Sequence, residues 1–161
     1  MQVDYVLILA AGKGTRMGDI GKELPKVIWP IFKKSLLELQ ISYAQSFNPS
    51  KIFINLFNKK EKILKHLKKT NHFKDVEVLI EKEKLDIGGA VHNLANIVGY
   101  EGNLLIINAD QFIMFDKKTK KSILSTNNDA DVKLLTYNVK KEDGYNQIFC
   151  ENNLFTEVRK N

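Results

Sequence analysis

An apolar run from Val3 to Ala11, with Val6-Leu7-Ile8-Leu9 at its centre, opens directly into Gly12-Lys13-Gly14-Thr15-Arg16-Met17-Gly18. A strand with that many consecutive apolar residues needs cover on both faces, so it belongs inside a sheet and not at a half-solvated surface. The three glycines that follow let backbone N–H groups approach an anion closely. Arg16, and then Lys26 in Leu24-Pro25-Lys26, add full charges where the amides supply only dipoles. Strand, glycine loop and separated cations together are equipment for gripping a nucleoside triphosphate.

Two familiar phosphate loops do not fit. A Walker loop needs Gly-Lys followed by Ser or Thr, with a further glycine five positions before the second one; here Gly12-Lys13 precedes Gly14, and the earlier place is Leu7. The dinucleotide fingerprint begins well with Gly12 and Gly14, but its third glycine should stand where Met17 does, and the chain has Gly18 instead.

Periodicity predicts strands near Val3 to Leu9, Lys51 to Leu56, Val76 to Ile80, Asn103 to Asn108 and Asp131 to Tyr137, and a weaker hairpin from Tyr145 to Val158. Helices are predicted over Ser35 to Phe47 with Ser35 as N-cap, Lys59 to Lys68, Gly89 to Val98, and Lys117 to Ser125. Such alternation implies an α/β fold with right-handed crossovers and a mainly parallel sheet covered by helices on both faces. Ligands of such sheets collect at the carboxyl ends of the strands. The glycine loop, the turn Leu85-Asp86-Ile87-Gly88-Gly89 and Asp110 all fall at such ends.

The chain's 161 residues, 43% of them hydrophobic, suit one domain with one core. No apolar run approaches the roughly 20 residues that span a bilayer, so a membrane is not expected as a partner. Met1-Gln2-Val3-Asp4 supplies no basic region for a secretory signal, and the single Cys150 cannot form an internal disulfide, which together point to the cytoplasm. The net charge of +6 raises nucleic acid as a partner, but lysine runs such as Lys59 to Lys69 alternate with Ile63, Leu64 and Leu67 at helical spacing. Solvated helix faces explain them better. The basic residues are lysines except for Arg16 and Arg159. A guanidinium can fork two phosphate oxygens where an ammonium cannot, which makes the use of arginine beside the glycine loop pointed. The histidines His66, His72 and His92 show no metal-ligand spacing and are expected to face solvent, while Trp29 is expected to pack.

Leu9-Ala10-Ala11-Gly12-Lys13-Gly14-Thr15-Arg16-Met17, the Pro25-Lys26 pair, Leu85 to Ala90 and Ile107-Asn108-Ala109-Asp110 follow one another as the motifs of the sugar-phosphate nucleotidylyltransferases do, and the chain resembles that family over essentially its whole length. The resemblance implies a Rossmann-like nucleotide-diphospho-sugar transferase fold of the GT-A-like kind. It implies an enzyme that moves a nucleoside monophosphate from a nucleoside triphosphate to a sugar 1-phosphate with Mg²⁺ as cofactor. Segments around Ile54-Asn55-Leu56-Phe57, His66-Leu67, Leu85-Asp86 with Gly88-Gly89, and Asn108 to Asp110 look like the branch that uses UTP and N-acetylmuramate 1-phosphate. GTP-dependent heptose or mannose 1-phosphate guanylyltransferases share the loop and the Gly-Gly-Ala turn, and a non-catalytic nucleotide-sugar binding module is a further alternative. The oligomeric state is not legible.

The resemblance assigns the nucleotide to Leu9, Ala10, Ala11, Gly12, Gly14, Thr15 and Arg16, with Arg16 neutralising the departing pyrophosphate and Lys26 meeting the α-phosphate and the incoming sugar phosphate. Asp110 would be the magnesium ligand, and it stands oddly at the end of apolar Leu104-Leu105-Ile106-Ile107 unless it serves as a turn or helix cap. Gly88 and Gly89 would leave room for base and sugar, or simply begin a helix. Glu81 and Asp86 are candidate acceptors for a base or for sugar hydroxyls, although acids also gather at helix N-termini for electrostatic reasons. Departures from the family pattern are Ile87 where threonine is usual, and Arg159-Lys160 where a Glu-Lys pair is usual, so that Lys160 alone corresponds to the sugar-phosphate contact. The family's second metal-binding aspartate lies further along, so residues 1–161 are expected to be one nucleotidyltransferase domain lacking its carboxyl-terminal third.

Overall fold

The computed structural model describes residues 2–12, 14, 18–113, 115–125, 132–136, 146–152 and 154–159. The chain divides into two compact units, Met1–Thr126 and Asn127–Asn161. In the first, β1 (Tyr5–Leu9) leads through the glycine loop to α1 (Gly18–Glu23), a 3₁₀ turn at Lys26–Ile28, and the two-residue strands β2 (Pro30–Ile31) and β3 (Lys34–Ser35). Next come α2 (Leu36–Gln45), β4 (Lys51–Leu56), α3 (Lys60–Lys69), β5 (Glu77–Ile80), α4 (Ile87–Val98), β6 (Leu104–Asn108) and α5 (Lys117–Ile123). The sheet runs in the order β5-β4-β1-β6, and every pairing in it is parallel.

Alternation along the strands divides the core into two layers. Val6, Ile8, Ile52, Ile54 and Leu56 pack against Leu37, Ile41 and Ala44 of α2 and Ile63 and Leu67 of α3. Leu7 and Phe53 point the other way, against Ala90 and Leu94 of α4. Full burial of each such Val, Leu, Ile or Phe side chain stabilises the fold by about 1.5–3 kcal/mol. Helices therefore cover both faces of a parallel sheet, as the alternation of elements predicts.

The capping of α2 explains where that helix starts. Ser35 Oγ accepts from the Glu38 N–H at 3.2 Å, and Glu38 Oε2 accepts from the Ser35 N–H at 2.8 Å, which closes a capping box. His66 of α3 places Nε2 2.8 Å from Ser35 Oγ and 3.3 Å from Glu38 Oε2. Burial pushes the Glu38 carboxyl up, but the hydrogen bonds from Ser35 and the neighbouring imidazole outweigh it and hold the group below the usual carboxylate range.

Several expectations need correction. His66 and His72 do not face solvent: His66 closes against the capping box, and His72 Nδ1 lies 2.9 Å from Asp75 Oδ2. The polar partner that draws each ring inward is invisible to helical periodicity. His92 is exposed beside Tyr100, as expected. Residues 132–136 carry no strand, with Val132, Leu134 and Leu135 exposed. The helix α1 and the small β2–β3 hairpin were not predicted; the hairpin turns at Phe32, whose φ of 58° is unusual for a non-glycine residue. No helix among the described residues is long and apolar enough to cross a membrane.

In the second unit, β7 (Gln147–Glu151) and β8 (Leu154–Arg159) pair antiparallel with a register shift between Phe149 and Cys150. This is the hairpin predicted over Tyr145 to Val158. The Arg159 guanidinium lies over the Phe149 ring, 4.2 Å from its centroid.

Candidate functional site

Because the four strands are parallel, their carboxyl ends share one edge, and register brings Leu9 beside both Asn55 and Asn108. The chain leaves β1 as Ala10-Ala11-Gly12, leaves β5 as Glu81, and leaves β6 as Ala109-Asp110. The Ala109 N–H donates to the Leu9 carbonyl at 3.0 Å, and the Glu81 N–H donates to the Leu56 carbonyl at 2.8 Å, so these loops start from defined positions.

Lys26 enters this edge from the 3₁₀ turn after Pro25, where buried Val27 anchors the turn to the core. Its Nζ lies 3.4 Å from Asp110 Oδ2, a residue 84 positions away in sequence. Their side chains are 35% and 56% exposed, respectively. A long, solvated pair of that kind is worth less than about 1 kcal/mol, so either partner can exchange the other for a ligand cheaply. Nearby, Gln40 of α2 is buried and donates from Nε2 to the Gln111 carbonyl, which ties the segment after Asp110 to the core.

The glycines differ in what they permit. Gly14 has φ +64°, a conformation that L side chains rarely adopt, and a side chain at Gly12 or Gly14 would meet nothing within 4 Å. Gly12 and Gly14 therefore border open space. Gly88 is equally open, whereas a Cβ on Gly89 would stand 3.0 Å from Leu85 Cβ. Gly89 thus serves packing at the start of α4, and Gly88 is the glycine that leaves room.

The acids also separate. Asp86 stands at the N-cap of α4 without a side-chain capping bond, exposed, with Lys84 Nζ 3.8 Å away. Glu81 is 4% exposed, and both of its oxygens are occupied: Oε1 accepts from Asn55 Nδ2 at 2.7 Å and Oε2 from the Leu85 N–H at 3.2 Å. Asn55, 3% exposed, accepts in turn from the Ala10 N–H at 2.8 Å. Asn55 was not singled out as a site residue from sequence. The available signal was a polar residue near the end of the apolar run Ile52-Phe53-Ile54, the same signal that marks Asp110. Trp29 is half-buried, with Nε1 donating to the Leu24 carbonyl at 3.1 Å. Thr15, Arg16 and Lys160 lie outside the described residues.

One edge of the sheet thus collects the open glycines Gly12 and Gly14, an ammonium, an accessible carboxylate and an open turn at a helix start. Residues 5–158 match the family described as nucleotidyl transferase. The bifunctional protein GlmU of Gloeothece citriformis is 31% identical over 156 residues, which covers 95% of this chain and 33% of that protein. GlmU of Buchnera aphidicola is 31% identical over 147 residues, covering 91% of this chain and 30% of that protein. The crystal structure of HddC from Yersinia pseudotuberculosis complexed with GMP-PN is similar with a TM-score of 0.77 at 27% identity, covering 98% of this chain and 69% of that one. The chain spans about a third of the length of the curated relatives it matches.

Proposed function

This chain belongs to the nucleotidyl transferase family, and from that premise we propose that it is the nucleotide-binding part of a sugar-1-phosphate nucleotidylyltransferase, residues 1–161 forming part of one such domain. The observation that carries this reading is the approach of Lys26 to Asp110 at 3.4 Å, next to the Ala109 N–H that bonds the Leu9 carbonyl at the end of β1.

The chemistry needs no general base. A phosphate monoester has its second pKa near 6, so the attacking oxygen of a sugar 1-phosphate is already ionised at neutral pH. That oxygen bonds to the α-phosphorus in line with the bond that breaks, and the electron pair of the broken bond leaves with pyrophosphate. The protein's task is to hold two anions together and to spread the charge that develops. Backbone N–H groups of Ala11, Gly12, Gly14 and Thr15 hold the triphosphate, Arg16 neutralises the departing pyrophosphate, and Lys26 screens the α-phosphate from the incoming sugar phosphate. Gly88 leaves room for base and ribose, and Asp86, exposed beside Lys84, accepts from a hydroxyl. Lys160 is assigned to the sugar phosphate.

Magnesium fits this residue set in one specific way. Among the described residues no group of three or more His, Cys, Asp or Glu side chains could hold a metal, and the carboxylate beside Lys26, Asp110, is more than half exposed. Mg²⁺ is commonly held by one or two carboxylates together with substrate phosphates, and Asp110 suits that role. When bound, the ion would neutralise phosphate charge at the reacting centre.

For the base and sugar, the motif resemblance favours UTP and N-acetylmuramate 1-phosphate. The likeness to HddC, solved with GMP-PN, supports the nucleotide of a second reading, GTP with a heptose or mannose 1-phosphate. Thermal melts with Mg²⁺ and each of ATP, GTP, CTP, UTP and dTTP test both. Ligand at 100 times its Kd stabilises by about 2.7 kcal/mol. UTP should give the largest shift, a larger shift with GTP would install the second reading, and melts unmoved by all five overturn the proposal. Binding without release of pyrophosphate from the nucleoside triphosphate, whichever sugar 1-phosphate is added, would leave a non-catalytic module.

A further inference from the structure

The first glycine loop and the turn before α4 leave β1 and β5, which are not neighbours: β4 lies between them in the sheet. A group at the end of β4 stands where it can join the two loops. Asn55 does so, its Oδ1 accepting from the Ala10 N–H at 2.8 Å while its Nδ2 donates to Glu81 Oε1 at 2.7 Å. Glu81 carries the connection on, Oε2 accepting from the Leu85 N–H at 3.2 Å, four residues before Gly89. Both side chains are almost wholly buried, at 3% and 4% exposure.

A buried carboxylate–amide pair is a poor way to gain stability. Net contributions of such bonds are small, and an apolar pair of similar shape often does as well or better. What the pair supplies instead is direction. Oδ1 has to face the Ala10 donor and Nδ2 has to face the carboxylate, so the two backbone amides are held at hydrogen-bond spacing from one rigid bridge.

We propose that Asn55 and Glu81 are positioning residues that lock the triphosphate loop, Ala10 to Gly14, to the turn Leu85 to Gly89 across β4. The inference rests on the nucleotide reading of this edge for its consequence, and on the bridge alone for its mechanism. Nucleotide then meets two loops already set relative to each other, and does not have to order them on binding. Glu81 acts through Asn55 and Leu85 and does not itself read the base.

The bridge can be reversed without changing its charge. In Glu81→Gln the new amide turns a donor toward either Asn55 Nδ2 or the Leu85 N–H, and one link is lost. In Asn55→Asp a second carboxylate faces Glu81, and the central link is lost. In the double variant, Asp at 55 accepts from Ala10 and from the Gln amide at 81, whose oxygen accepts from Leu85, so every link returns with its central donor and acceptor exchanged.

The test measures the Kd of Mg·UTP and Mg·GTP by calorimetry well below each variant's melting temperature, so that it reads the folded state, together with amide exchange at Ala10 and Leu85. Each single variant should weaken nucleotide at least tenfold and also speed exchange at the far amide, Leu85 for Asn55→Asp and Ala10 for Glu81→Gln. The double variant should return Kd to within about threefold of the parent and restore both amides. Folded single variants that bind as the parent does, or a double variant as weak as the singles, overturn the proposal. If a single variant fails to fold, a folded double variant with parental Kd and protection supports the bridge, and one without them sinks it. If the parent binds neither nucleotide, the functional reading fails separately, and the lock stands or falls on whether the far amide responds.

Discussion

Asp110 and the two glycines of the α4 turn show how much a single position can decide. Asp110 has Lys26 as its ion-pair partner at 3.4 Å and is more than half exposed, so Asp110→Asn should change ligand-free stability by less than about 1 kcal/mol. If the carboxylate holds Mg²⁺ against the triphosphate, the same change should weaken Mg²⁺-dependent nucleotide binding at least about tenfold, or 1.4 kcal/mol. A magnesium titration of nucleotide affinity reads this directly, and an unaltered magnesium dependence would remove Asp110 from the site. At Gly88 and Gly89 the substitution to alanine should divide sharply. Gly88→Ala gains helix propensity of up to about 1 kcal/mol with open space for the methyl, so its melting temperature should hold or rise. Gly89→Ala drives a methyl to 3.0 Å from Leu85 Cβ and should melt lower. Equal melting of the two variants would refute the packing role of Gly89.

At the scale of elements, the start of α2 carries a pH dependence whose sign is determined. The Glu38 carboxyl titrates below its ordinary value of 4.5 because hydrogen bonds from Ser35 and the His66 imidazole overcome the upward push of burial. The unfolded chain therefore binds the proton first as pH falls, and the contribution of Glu38 is complete above about 4.5 and is lost as pH drops through the lowered folded value. Urea midpoints taken from pH 6 downward should fall across this window in the parent, and should fall less steeply in Glu38→Gln. Ser35→Ala removes the cap that Glu38 N–H donates to at 3.2 Å and should cost about 1 kcal/mol at neutral pH. An acid limb unchanged by Glu38→Gln would show that the capping box does not carry the pH dependence.

For the whole molecule, burial is concentrated in the strands β1 and β4, with Val6, Leu7, Ile8, Phe53, Ile54 and Leu56 inaccessible to solvent. Both strands are interior in the sheet, flanked on each side by another strand. In the second unit every residue of β8 is exposed, and a two-stranded hairpin by itself is marginal in water. Native-state amide exchange should therefore separate them. Amides of β1 and β4 should exchange only through global unfolding, while those paired in β7 and β8 should exchange through local opening at much lower free energy. Equal protection in the two sets would contradict a stability centred on the parallel sheet.

What the sequence determined by itself was local. Periods of two and of three to four residues, the Ser35 cap, and apolar runs ending in glycine or acid located β1, β4, β6 and the helices α2 to α5 within a few residues, because those signals act between positions close along the chain. Ordered motifs added the family, and with it Lys26 and Asp110. The tertiary structure alone decided which of these groups meet. Lys26 reaches Asp110 across 84 positions, and Asn55 reaches Ala10 across 45, because the sheet order β5-β4-β1-β6 sets β4 and β6 on either side of β1. The inward turn of His66 and the occupation of both Glu81 oxygens were illegible for the same reason: the hydrogen-bond partner of a buried polar group is set by which strands and helices become neighbours, and no local pattern of residues encodes that.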